Sequence, residues 1–401
     1  MTEQEDVTFN RRKFLQLTGA LGVSVAAGGV LAACSTSGGG AASAAAPSAN
    51  APSAAAPSAA PAASVAASAA AVTGTFNWMT WGDHWIQKQL DTIAKDAGII
   101  AKVSELAGNA EGYAKLKQVK GQLDKISGDA MWVPNAYNKD GLIEPFDINS
   151  LKVSSQLYSF AREFPYWKTD AGYLAYPFGW SPIMIYYDPA KVSGNPDGWQ
   201  VLLDPKYKGR LVVENQPEEI VAYMARAAGF DKPYDLTDDQ LATVKTYLEK
   251  LKPNVLKFAQ QATDSVKSMI TGEAWLITGN LGNEDRVKDG GGPVIKGYVP
   301  KEGTVGWHDG EMIVKEGANK KLIIPFLEKS QQAELIAENF LANGRPLFNE
   351  KAYTLLVNQG KKDQADRYLW TQAEAVLAKT VLKGPGTSTA KSIALFHEVF
   401  G

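Results

Sequence analysis

The sequence predicts a two-lobed α/β fold with a ligand cleft between the lobes. Three observations carry that prediction. From residue 75 the chain alternates strand and helix patterns, β-α-β-α-β, the signature of a mostly parallel sheet covered on both faces. A second α/β set runs from Arg210 to about Pro300. Two extended stretches, near residues 178–186 and 300–307, then read as crossings between the two sets.

The first 74 residues stand outside that fold. Asn10-Arg11-Arg12-Lys13-Phe14-Leu15 opens a charge-free, Gly- and Ala-rich run that reaches Ala33. A basic segment followed by a weakly apolar run with small residues at its end is the form of an export signal. The alternative, a transmembrane anchor, is weakened by Gly19, Gly22, Gly28 and Gly29, which lower both helicity and hydrophobicity. Arg11-Arg12 with the following Phe and Leu resembles a twin-arginine signal. Leu31-Ala32-Ala33-Cys34 resembles a bacterial lipobox, which implies removal of residues 1–33 and a lipid on Cys34. Residues 35–74 carry no charge, and 19 of these forty are Ala, 8 Ser and 4 Pro, so they bury no core. Ala-Pro-Ser recurs there every five residues, and Pro breaks any long Ala helix, so residues 34–74 read as a semi-flexible tether.

The 327 residues that remain suffice for about two lobes. Residues 75–79 have strand character. Asp83 is placed to cap a helix with Ile86, Leu90 and Ile93 on one face, closed by Gly98. A strand over 99–105, a helix over 110–126 and a strand over 129–133 follow. Residues 173–187 read as two extended segments separated by 177–182. The second set comprises strand 211–213, helix 218–228, helix 238–251 and strand 274–278. Residues 311–315 look extended, and the rest is mainly helical. Lobe one is expected to comprise residues 75–179 and 304–401, and lobe two residues 180–303.

Composition excludes several function classes. The folded part carries 38 Lys and Arg against 40 Asp and Glu, which leaves no basic footprint for nucleic acid. With Cys34 the only cysteine and His84, His308 and His397 the only histidines, neither a disulfide framework nor a metal cluster is expected. No H-E-x-x-H and no G-x-x-x-x-G-K-[ST] occurs. Gly179-Trp180-Ser181-Pro182-Ile183 lacks the second glycine of a nucleophile elbow. Glu218-Glu219 and Asp238-Asp239 sit at helix starts, where the dipole alone favours carboxylates. Neither an enzyme nor a cofactor is expected.

Aromatic density is the positive signal. All ten tryptophans lie after residue 77, and several have polar neighbours at strand ends: Trp78 and Trp81, Tyr137, and Trp307-His308-Asp309. An aromatic face beside a carboxylate suits a desolvated organic cation. Extended backbone at 307–309 would place Trp307 and Asp309 on one side and His308 on the other.

Six segments, in this order and spacing, carry a resemblance over almost the whole folded part. They are Asn77-Trp78; Tyr113-Ala114-Lys115-Leu116-Lys117; Val133-Pro134-Asn135-Ala136-Tyr137; Tyr176-Pro177-Phe178-Gly179-Trp180; Leu203-Asp204-Pro205-Lys206-Tyr207-Lys208-Gly209-Arg210-Leu211; and Val299 through Asp309. The chain resembles the bacterial ABC-transporter solute-binding proteins of the spermidine/putrescine type. The resemblance implies a type II periplasmic-binding-protein-like fold. It further implies a monomeric receptor, at the periplasm or the outer face of the cytoplasmic membrane, that delivers a small amine to permease subunits. It places Trp78, Asn135, Tyr137, Glu219, Trp307 and Asp309 at the ligand, with Trp81 beside them. Three positions depart from the family's pattern. Thr80 and Gln216 stand where acids are usual, and Arg345 stands where tyrosine is common. Two lost carboxylates and one gained cation make a zwitterionic amine, such as an ω-amino acid or a betaine, a competitor to a polyamine. A secreted hydrolase is the alternative from another class, and it lacks a catalytic pair.

Overall fold

Strand β1 (Gly74–Thr80) opens the part of the chain that the computed structural model describes, residues 72–401. It lies parallel to β2 (Ile99–Glu105) and β3 (Lys125–Asp129), with helices α1 (Gln87–Ala97) and α2 (Asn109–Gln118) as the connections. Gly98 closes α1 in the left-handed region at φ 64°, where an L side chain would be strained. Asp83 does not cap this helix. The N-cap is Ile86, and the Asp83 carboxylate pairs with Arg345 instead.

The next expectation shifts by four residues. Helix α2 stops at Gln118, Gly121 turns the chain at φ 74°, and the strand expected over 129–133 is Lys125–Asp129. A buried ion pair hides that strand in the sequence. Lys125 is 1% exposed, its ammonium bonds Glu311, and it lies 3.4 Å over the Trp78 ring. A strand that opens on a charge does not read as core.

β4 (Tyr176–Pro182) belongs to the first sheet and β5 (Met184–Tyr187) to the second, so the first crossing is the single residue Ile183. The expected lobe boundary at residue 180 therefore falls inside β4. Pro177 is tolerated there because it sits where the register against the neighbouring strand shifts. The second lobe adds β6 (Leu211–Glu214), α3 (Pro217–Ala227), α4 (Asp238–Leu251), β7 (Val255–Ala259), β8 (Leu276–Gly279) and β9 (Lys296–Tyr298). Its sheet order is β7-β6-β8-β5-β9. The chain then returns in β10 (Thr304–Val314), which runs antiparallel to β3 and β4 and parallel to β11 (Thr380–Leu382). The first sheet is ordered β11-β10-β3-β1-β2.

One further expectation changes. The C-terminal helix Thr389–Phe400 does not join lobe one. Its Leu395, Phe396 and Val399 are buried in one cluster with Val221, Met224, Val244 and Leu248 of α3 and α4. Residues 383–388 thus make a third crossing. In both lobes the parallel strands aim their C-terminal ends at the space between the sheets, where open α/β folds place ligands.

Candidate functional site

That space is a cleft of about 530 Å³, within the range of small-molecule sites. Strand ends position most of its wall. Trp81 follows β1, Asn109 comes after β2, and Asp129 ends β3 with Trp132 just beyond it. From the other lobe come Gln216, Glu218 and Glu219 after β6, and Asn280 after β8. β10 contributes Trp307 and Asp309, and Tyr234, Arg345 and Lys383 complete the lining. As the alternation predicts, His308 points the other way. It is fully buried against Phe164, Trp167 and Phe348.

Of the ten residues expected at the ligand, Trp81, Gln216, Glu219, Trp307, Asp309 and Arg345 line this cleft. The other four do not. Trp78 is core beneath Lys125, and Thr80 is wholly buried with its hydroxyl 2.7 Å from that of Ser127. Tyr137 is buried and donates to the Asn109 carbonyl, while exposed Asn135 donates to the Met131 carbonyl. The last two fail for one reason: the strand ends at Asp129, so Val133–Asn138 is a helical turn past the wall. Asp129 and Trp132 line the cleft instead. In the first loop the acid is Asp83, three residues beyond Thr80.

The Trp307–Asp309 end already holds a cation. The Arg345 guanidinium lies 4.3 Å over the Trp307 ring, donates from Nη1 to Asp309 Oδ2 at 3.0 Å, and reaches Asp83 with Nη2. Behind Asp309, His84 approaches it at 3.2 Å through Nε2 and Glu311 at 2.7 Å through Nδ1. Burial works against ionised Asp309, but the His84 hydrogen bond and the Arg345 charge outweigh it and hold the carboxyl well below the usual range. Burial also opposes protonation of His84, and the two carboxylates more than compensate, raising it.

At the opposite end Lys383 spans both lobes. Its Nζ is 3.1 Å from Glu219 Oε1 in α3 and 3.6 Å from Asp129 Oδ2 in β3. Burial disfavours its charge, but Glu219 and Asp129 together raise its pKa well above the usual lysine range. Asp129 pairs across the strands with Asp309, is 3% exposed, and has no hydrogen-bond partner at Oδ2. Burial lifts its pKa well above the carboxylate range, against Lys383 and reinforced by the Asp309 charge. A buried acceptor without a donor is costly, and here it faces the cleft.

The chain matches the family described as bacterial extracellular solute-binding protein over residues 135–368, more than half its length. It belongs to that family. This solute-binding protein is 26% identical over 310 residues to the spermidine/putrescine-binding periplasmic protein of Escherichia coli (strain K12), covering 75% of its own chain and 84% of the relative. It is 27% identical over 306 residues to spermidine/putrescine-binding periplasmic protein 1 of Haemophilus influenzae, covering 74% and 81%. Among solved structures, a putative spermidine/putrescine ABC transporter from Listeria monocytogenes superposes with a TM-score of 0.70 at 19% identity, covering 81% and 98%, which supports the two-lobed fold. Cys34 and the export motifs lie outside the described residues. Among those described, no helix is long and apolar enough to cross a membrane.

Proposed function

We propose that the protein captures a small amine-bearing, polyamine-like solute outside the cytoplasmic membrane and delivers it to an ABC permease. In this reading it is held at the membrane through lipidated Cys34 and the 34–74 tether, and it catalyses no reaction. One observation carries the amine: Asp129 Oδ2 is buried without a hydrogen bond, its nearest cation Lys383 standing off at 3.6 Å, in a cleft that also presents Glu218, Glu219 and the rings of Trp81 and Trp132. A ligand ammonium supplies the missing donor, favours the ionised carboxylate that burial disfavours, and takes an aromatic face as well. Arg345 favours a second form of the same reading, in which the amine also bears an acidic group that the guanidinium receives. Thermal stability is the test, with putrescine, spermidine, 4-aminobutyrate and glycine betaine as probes. A probe at a hundred times its Kd should stabilise the fold by about 2.7 kcal/mol. If none of the four shifts the melting transition at millimolar concentration, the amine reading fails.

A further inference from the structure

The cleft holds two cations of its own, and they sit on its carboxylates. Arg345 occupies Asp309 and the Trp307 face, and Lys383 occupies Glu219 and approaches Asp129. Of the four acids that line the cleft, this leaves Asp129 Oδ2 without a hydrogen bond and Glu218 without an ion pair among the described residues. Glu218 is only half-buried, so the buried acidic place that lacks a partner is one oxygen, Asp129 Oδ2, enough for one ammonium.

Lys383 is held in position by the fold. Its backbone N–H donates to the Gly306 carbonyl at 2.8 Å, extending the β10–β11 ladder by one residue. From there the side chain reaches between the first lobe's β3 and the second lobe's α3. We propose that Lys383 is a specificity-determining residue, a tethered ammonium seated between Asp129 and Glu219 that a monoamine leaves in place and a diamine or triamine must displace. A tethered group competes at an effective concentration of order millimolar or higher, so displacing it removes most of the gain from a second ligand ammonium. The raised pKa of Lys383 keeps the competitor charged at neutral pH.

This inference rests on the amine reading, and the experiment separates the two. Butylamine and putrescine share a four-carbon chain and differ by one ammonium. Calorimetry on the wild-type protein should give the two probes affinities within about threefold of each other. In Lys383→Gln, the competitor being gone, putrescine should tighten by at least about tenfold more than butylamine does. Lys383→Arg keeps the cation and should behave as wild type. Putrescine binding wild type tenfold more tightly than butylamine overturns the proposal without any variant, so a poorly folding Lys383→Gln leaves it testable. Putrescine unchanged or weakened in a folded Lys383→Gln also overturns it, and the amine reading then stands. If neither probe binds wild type or either variant, the amine reading falls, and this inference with it.

Discussion

His308 and Asp309 are adjacent in sequence and opposite in chemistry, because an extended chain sends them to different faces of β10. Asp309 faces the cleft, while His308 sits among Phe164, Trp167 and Phe348 with neither ring nitrogen hydrogen-bonded. Burial pushes the His308 pKa down to about 3. The folded protein therefore keeps it neutral, while the unfolded chain takes up a proton below about pH 6.5. The unfolded state binds more protons in that window, so stability falls as pH drops, by roughly 1.4 kcal/mol per unit. His84 has the reverse sign and another window. Its raised pKa contributes stability that is complete below about pH 6.5 and is lost as pH rises through the folded value. Glu311, held at about 2, loses its contribution only below about pH 4.5. Between pH 7 and 5 the raised carboxyls of Asp129 and Glu214 titrate with the opposite sign, so the difference between wild type and His308→Leu is what isolates His308 in urea unfolding. Over that range wild type should lose roughly 2 kcal/mol relative to His308→Leu. Parallel profiles would assign the acid sensitivity elsewhere. The cleft-facing pair was legible in sequence because alternation is local. Lys383 and Asp129 were not, since each matters only through partners more than eighty residues away.

At the scale of elements, the sequence pattern locates structure more reliably than it assigns partners. Helices Asp238–Leu251 and Gln87–Ala97 were readable from their residue pattern, the second also from its Gly98 stop, although its expected cap Asp83 was wrong. β3 was not, because Lys125 opens it; with the strand ending at Asp129, it is Asp129 and Trp132 that line the cleft, and not the Asn135 and Tyr137 that the resemblance implied. The C-terminal helix shows the same limit. Its periodicity predicts a buried face, yet nothing local says that the face belongs to the second lobe. Residues 383–388 carry the chain across, and Leu395, Phe396 and Val399 then pack on α3 and α4. Burying one such side chain contributes about 1.5–3 kcal/mol, so a chain ending at Ser388 forfeits several kcal/mol from that lobe alone. We expect this truncation to unfold at markedly lower urea, or to lose a single cooperative transition, with the change confined to lobe-two probes such as Trp199 and Trp275. An unchanged midpoint would mean that the helix is an ornament on the second core.

For the whole molecule, the cleft is built from both lobes, and a limited set of polar bridges joins them. They include Lys383 to Glu219, Trp307 Nε1 to Asn280 Oδ1 at 2.8 Å, Arg367 to Asp285 at 2.7 Å, Arg286 Nη2 to the Gly344 carbonyl at 3.1 Å, and the Leu281 N–H to Ser181 Oγ at 2.9 Å. The backbone connections are short: Ile183 alone, the turn after Tyr298, and residues 383–388. Short crossings restrict relative motion to a hinge rather than a free tumble, because a few φ/ψ changes must absorb all of it. A ligand that touches Asp129 from one side and Glu218 from the other binds the closed arrangement better than an open one. Only that difference in affinity can shift the balance. Moving the population from 1% to 99% closed takes about 5.5 kcal/mol of differential binding, which one buried charge pair plus an aromatic contact can approach. We therefore expect solution scattering to give a smaller radius of gyration at saturating ligand, and Asp129→Asn to weaken binding and compaction together while the unliganded melting temperature stays near wild type. Asp129→Asn keeps the shape and adds a donor where the ligand should supply one. Unaltered affinity in that variant, or tight binding with a scattering curve that does not move, would mean that the lobes do not close around an ammonium at Asp129.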